Sequence, residues 1–441
     1  MPQGTRSAGS ARQGGDAAFD SAPRRVSVVS AGRRGYKQGM RNRRTGSTPG
    51  IALALIAAGG TGIGCAPAAA PVGPAGSWGP TAIVEELAIG VDVGAPEYMF
   101  GAVRDIAVAP DGRIFAYQLT PRVIREYDGD GNHARDLGRQ GQGPGEYQSP
   151  AIEVMPDGRL VAWDVFNNRL SFYERDGSYA HGLQIDASLG GSAALRLDTE
   201  GYVYIRDWER PDTPVTSEAD IPIVLRRYTP GGELIESLPV PHPERDERQG
   251  MSFTLREGFS SFPVETLSAW SPLGYMVVGR NDRYEVELQR PDGSITIGRD
   301  LDAVPIAGEE LEEWNAFRAY TLVLNANGDF EYAPLPSTKP FFKGLEVGLD
   351  GRIWVHRYVE AVKRDDVQQL PEIPGRPPNR PLLTWREPTT YDVFEPDGTF
   401  LGTVVLPDDI TPHVFRGDHI WGVHLDADGV ERVVRLRVEH E

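Results

Sequence analysis

The stretch Ile106-Ala-Val-Ala-Pro-Asp-Gly-Arg-Ile-Phe-Ala-Tyr117 returns in the same pattern as Ile152-Glu-Val-Met-Pro-Asp-Gly-Arg-Leu-Val-Ala-Trp163. Weaker copies follow at Leu195–Ile205, Leu267–Val278 and Leu345–Val355, and a degenerate one at Val414–Val423. Each is a β-rich run, a tight turn and a second run that closes on aromatic or apolar residues. Asp-Gly between apolar alternations favours a hairpin, because glycine accepts the positive φ that such a turn requires. A unit that cannot bury both of its faces alone, repeated about six times, implies a radial or linear array of sheets.

Working outward, each copy carries a second turn: Asp128-Gly-Asp-Gly131, Asp176-Gly177, Gly231-Gly232, Asp292-Gly293, Asp397-Gly398 and Asp428-Gly429. Further β-rich runs lie between the two turns, among them Val123–Tyr127, Arg169–Tyr173, Val224–Tyr228, Tyr284–Leu288 and Thr390–Phe394. Four strands per unit and six units predict an all-β chain, a six-bladed β-propeller of four-stranded antiparallel blades over 81–441. The last unit supplies three strands, and Ala82–Val91 is the expected fourth, which would close the ring and hide an edge. A closed ring of this kind is expected to act as a monomer. One helical insertion is expected near 308–325, where Glu309 and Glu310 suit the helix dipole and Leu311, Trp314, Phe317 and Leu322 share a face.

The N-terminal region reads differently. Residues 1–64 hold ten Lys/Arg against Asp16 and Asp20, followed by the apolar Ile51–Ala58 and the single cysteine, Cys65. A basic segment, a short apolar core and small residues before a cysteine resemble a bacterial lipoprotein signal, with Gly62 standing where such signals usually carry Leu. Met40 begins a signal of ordinary length, so residues 1–39 read as an unfolded extension, and 65–80 as a flexible Ala/Pro/Gly linker. An exported protein, held at the cell envelope by lipid on Cys65, is therefore expected. The chain carries a net charge of −18; residues 1–64 contribute +8, leaving −26 on the remainder. A domain this acidic repels phosphate backbones, which argues against nucleic-acid binding. A lone cysteine excludes an intrachain disulfide.

Val103–Pro150, with its Gly-Gln-Gly-Pro-Gly-Glu-Tyr loop at 141–147, resembles the NHL/TolB-like six-bladed propellers of bacterial surface lipoproteins. Leu335–Leu345, leading into Asp350-Gly-Arg-Ile-Trp-Val355, adds to that likeness. The resemblance implies the fold and leaves the activity open.

Candidate site residues follow from topology. Every long insertion (Asp207–Pro222, Val240–Thr266, Pro305–Lys343 and Tyr358–Glu387) falls on one face of the disk, as expected of a binding surface on a rigid scaffold. Aligning the units by their first turn gives a ring at the ends of the second strands: Gln118, Asp164, Asp207, Arg280, Arg357 and His424. Arg104, Glu153, Lys343 and His413, near the first-strand starts, are expected at the same channel mouth. Arginine and aspartate there suit an anionic or polyhydroxylated ligand, such as a saccharide. Resemblance to gluconolactonases raises a second possibility, a divalent cation such as Ca²⁺ in the axial channel, held by Glu153, Asp164 and Asp207 with His413 or His424 as base. No nucleophile elbow, phosphate-binding loop or His-Glu-x-x-His motif is present. The leading expectation is thus an envelope-anchored propeller that binds a ligand or protein partner without catalysis. The alternatives are a metal-dependent, lactonase-like hydrolase or lyase and a purely structural envelope component.

Overall fold

The Asp-Gly phrase closes the same hairpin in blade after blade. In the first copy the amide of Gly112 donates to the Ala109 carbonyl (3.0 Å), and that of Ala109 donates to the Arg113 carbonyl (2.9 Å). Gly158, Gly201, Gly274 and Gly351 repeat the first bond, and all five glycines have φ between 85° and 90°. The aspartate contributes too: Asp111, Asp157 and Asp350 each accept from the amide two residues on, holding the turn before the strands pair.

In the computed structural model, residues 77–185, 195–209, 222–240, 261–324, 334–365, 367, 379 and 381–440 are described. The basic N-terminal segment, Cys65, most of the expected linker and nearly all of the Pro-rich stretch 370–381 lie outside them, as does the side chain of Leu322. The described strands form six four-stranded antiparallel sheets, the expected six-bladed propeller. Blade I contains Val103–Val108, Ile114–Leu119, Arg122–Tyr127 and His133–Leu137, and blade II contains Pro150–Val154, Leu160–Asp164, Arg169–Tyr173 and Tyr179–Gln184. Blade III is built from Leu195–Leu197, Val203–Trp208, Ile223–Tyr228 and Leu234–Pro239. Blade IV is built from Thr266–Ser271, Tyr275–Arg280, Glu285–Gln289 and Ile295–Gly298. Blade V takes Phe342–Val347, Ile353–Arg357, Thr390–Phe394 and Phe400–Val405.

Blade VI closes the ring. Ile410–Arg416, His419–Leu425 and Glu431–His440 are its inner three strands, and Thr81–Ile89 pairs antiparallel with Glu431–His440, from Thr81 opposite His440 to Ile89 opposite Val433. One grouping of turns is corrected here. Asp428-Gly429 joins the second and third strands of blade VI, not the third and fourth, because the fourth strand comes from the other end of the domain. It therefore lies on the face opposite the other Asp-Gly turns.

Six apolar clusters hold the ring, one at each junction between neighbouring blades. Phe115, Tyr117 and Ile124 of blade I meet Ile152, Leu160 and Tyr173 of blade II, for example. The aromatic positions of the repeat thus serve inter-blade packing. Polar stitches accompany them: Arg416 donates to the carbonyls of Val108 and Ala109 across the VI–I junction (both 3.0 Å), and Arg352 reaches Asp418 from V to VI (2.8 Å).

Trp78 locks the closing strand. It is 9% exposed, donates its amide to the Leu401 carbonyl of blade V (2.6 Å) and stacks on His440 at 4.8 Å. Trp78→Ala is expected to destabilise the domain by about 3 kcal/mol, as a shifted urea midpoint at unchanged slope.

Candidate functional site

Because strands alternate in direction, the first-to-second and third-to-fourth turns share one face, and the second-to-third and fourth-to-first connections share the other. We call these the turn face and the loop face. First strands run from the loop face to the turn face beside the axis, so their inward side chains line the channel. The channel has a volume of about 880 Å³, and its wall includes Arg104, Asp105, Glu153, Arg196, Glu346 and His413.

Three of these occupy one height. Glu153, Arg196 and Glu346 each lie five residues before the turn glycine of their blade: Gly158, Gly201 and Gly351. Arg104, eight residues before Gly112, stands about 10 Å nearer the loop face at ordinary strand rise. Asp105 bridges blades I and II: it accepts from the amides of Ile106 (3.0 Å) and Ile152 (2.8 Å). His413 Nδ1 lies 3.9 Å from Asp105, and Arg196 lies 3.9 Å from Glu153.

Arg196 is the cation that bears on all three carboxyls, those of Asp105, Glu153 and Glu346. Burial pushes Glu153 up to about 7, with Arg196 opposing the shift and Asp105 adding to it. Burial likewise raises Asp105 to about 6 against its amide hydrogen bonds and Arg196. Glu346 is also raised by burial, again opposed by Arg196. One guanidinium therefore serves three carboxyl groups from three other blades, and all of them remain open to the lumen. Burial lowers His413, which favours the neutral imidazole. Arrangements of this kind, with displaced titration in a cleft, are characteristic of functional sites.

Arg104, Glu153 and His413 thus reach the channel as expected, whereas the ring of second-strand residues lies outside its lining. Asp164 is 3% exposed and organises the turn beside it, accepting from the amides of Gln148 (2.6 Å), Ser149 (3.4 Å) and Phe166 (3.2 Å) and from Asn167 Nδ2 (2.8 Å). Asp207 is buried against Arg226 at 3.0 Å. Gln118 is buried and accepts from the Gly101 amide and Arg125. Arg280 pairs with Asp282 at 2.9 Å, and Arg357 lies 3.6 Å from buried Asp392. His424 pairs with Arg432 in the sheet of blade VI and is likewise outside the lining. The physical reason is strand order: first strands supply most of the lining and Arg206 is a second-strand exception, while these six second-strand residues meet the neighbouring blade or their own loop. Glu153, Asp164 and Asp207 do not form a ligand set for a divalent cation. Among the described residues no group of three or more His, Cys, Asp or Glu side chains is arranged to hold one.

The described parts of the insertions 305–343 and 358–387 lie on the loop face, and the strand ends flanking 207–222 and 240–266 open on the same face. The expected helix is present as α1, Gly308–Leu324. Its acidic first turn does more than meet the dipole: Glu309 pairs with Lys363 (2.6 Å) and Glu310 with Lys339 (2.7 Å). Lys339 is 1% exposed and also reaches Glu387 (2.8 Å), which in turn pairs with Lys343 (2.6 Å). Lys343 therefore belongs to this network rather than to the channel.

The sequence matches no protein-family model, and no curated protein is significantly similar to it. Among solved structures, a DUF4221-family protein of Bacteroides vulgatus has 10% identity and a TM-score of 0.46, covering 82% of this chain and 99% of that one. A Bacteroides fragilis protein named as exported has 8% identity and a TM-score of 0.44, covering 82% and 95%. A gluconolactonase from Xanthomonas campestris has 14% identity and a TM-score of 0.37, covering 84% and 99%. Likenesses this distant carry nothing about activity, and the ring stands on the chain's own strand pairing.

Two measurements check the electrostatics. Glu153 and Asp105 titrate above their unfolded-state values, so the folded ring holds extra protons between about pH 4 and 7 and loses stability as pH rises through that window. Glu153→Gln is expected to unfold at a higher temperature than wild type, with a gap that widens from about pH 5 to about pH 8 and approaches roughly 3 kcal/mol. Lys339→Met leaves Glu310 and Glu387 without their buried counter-charge and is expected to lose about 3–5 kcal/mol in chemical denaturation.

Proposed function

We propose that this chain is an exported, envelope-anchored propeller that binds a small polar ligand within its axial channel, with lipid on Cys65 as the anchor. The observation that carries this reading is the belt of Asp105, Glu153 and Glu346 around Arg196, open to a lumen of about 880 Å³. Carboxyl and guanidinium groups face that lumen together, so the complementary solute both donates and accepts hydrogen bonds, as a polyol or amino sugar does. The signal-like segment before Cys65 supports export, and the insertions over blades III to V supply a surface on which a protein partner can also dock.

Ligand-observed NMR against a panel of polyols, amino alcohols and amino sugars tests the reading. At least one compound should bind the wild-type domain, and Glu153→Gln and Arg196→Gln should each weaken it about tenfold, or ~1.4 kcal/mol. Unchanged binding in both variants would place the site elsewhere.

A second reading, acid–base catalysis by a hydrolase or lyase, rests on Glu153 itself, whose titration near 7 suits proton transfer at neutral pH. It predicts turnover of a lactone or ester that Glu153→Gln abolishes without unfolding the ring.

A further inference from the structure

A second cavity, of about 590 Å³, lies on the loop face between α1 and the segment that returns to blade V. Its walls include four aromatic side chains: Phe262, Trp314, Tyr358 and Trp385. Phe262 meets Trp314 edge-on at 5.2 Å and Tyr358 at 5.7 Å, which sets the rings at steep angles around the space. The cavity is preformed. Glu313 of α1 accepts from the amides of Thr384 (2.6 Å) and Trp385 (3.3 Å), and the Glu310–Lys339–Glu387–Lys343 network braces it from below.

The polar groups narrow the class of ligand. Glu310 and Glu387 are already matched by lysines, and Arg386 adds a further cation, so a cationic solute finds no unmatched carboxylate. For an anion the lining adds only the exposed Arg386 to those matched pairs, where solvent screens the charge. A purely apolar solute would leave the half-buried Tyr358 hydroxyl, whose pKa burial raises to about 12, without a hydrogen bond from the ligand. What remains is a neutral ring with an apolar face and hydroxyls at its edge. Aromatic walls with a few placed polar groups suit such a solute, and the volume falls within the roughly 300–1,000 Å³ of small-molecule sites.

We propose that this cavity is a saccharide-binding site, separate from the axial channel, in which a sugar ring stacks on Trp314 or Trp385 and a hydroxyl bonds to Tyr358. The assignment does not depend on what the channel binds.

Tryptophan fluorescence and calorimetry of the whole domain with maltose, cellobiose, lactose and N,N′-diacetylchitobiose test it. At least one disaccharide should shift the fluorescence, and Trp314→Ala and Trp385→Ala should each weaken its binding about tenfold or more. Tyr358→Phe removes one oxygen and keeps every ring, so it reports even if a tryptophan variant fails to fold; it should weaken binding several-fold. Glu153→Gln in the channel should leave it unchanged. The proposal falls if none of the four sugars binds, if Tyr358→Phe and the tryptophan variants bind like wild type, or if Glu153→Gln abolishes the signal.

Discussion

Everything in this molecule depends on one antiparallel pairing, that of Thr81–Ile89 with Glu431–His440. A propeller of six sheets has no layer beneath it. Each blade is buried only by its two neighbours, so a ring left open would expose one apolar junction face on each side and an unpaired strand edge. Pairing strands from opposite ends of the domain within one blade makes closure a backbone hydrogen-bond ladder rather than a side-chain contact alone. Trp78 and Thr81 extend that ladder into blade V, through the Leu401 carbonyl and the Thr403 carbonyl (2.8 Å). The channel belt inherits its geometry from closure, since its members come from different blades and meet only when the ring is complete.

Much of this was legible in the residues. The Pro-Asp-Gly phrase exposed the hairpins because the requirement is local: one positive φ and one carboxylate able to hold the next amides. The helix was legible from its acidic start. The binding belt was less so, because its positions are defined by distance from the axis, which no single strand reports. Aligning second-strand ends picked out Asp164 and Asp207, whose charges are spent on neighbouring amides and on Arg226. The better signal was a charge inside an apolar triplet of the first strand: Ile152-Glu-Val, Leu195-Arg-Leu and Leu345-Glu-Val. Glu153 was recognised from that stretch, while Arg196, Glu346 and Asp105 were not. The salt network under α1 was illegible, since Lys339 and Glu310 gain their meaning only from a loop packed far from either blade.

The two polar sites use buried charge in opposite ways. Around Lys339 the charges are matched at 2.6–2.8 Å, so the network fixes the loop insertions in one arrangement and leaves little for a ligand to satisfy. Around Arg196 the nearest ion-pair distance is 3.9 Å, and burial raises the pKa of each carboxyl. A matched buried network stabilises a shape, whereas a mismatched one leaves free energy to be gained when a solute arrives. The contrast leaves unmatched charge to the lumen, while the matched network holds the walls of the aromatic cavity in place.

Strand polarity in blade VI has a consequence for how the ring is held. Thr81 stands opposite His440, so the closing strand enters, and its partner leaves, on the turn face. From Ser77, already held to blade V, about twelve residues lead back to Cys65, a span of at most roughly 40 Å when extended. The proposed lipid at that cysteine would attach the disk through its turn face, on the side opposite the insertions. Such a tether would restrain the disk's distance from the membrane more than its tilt.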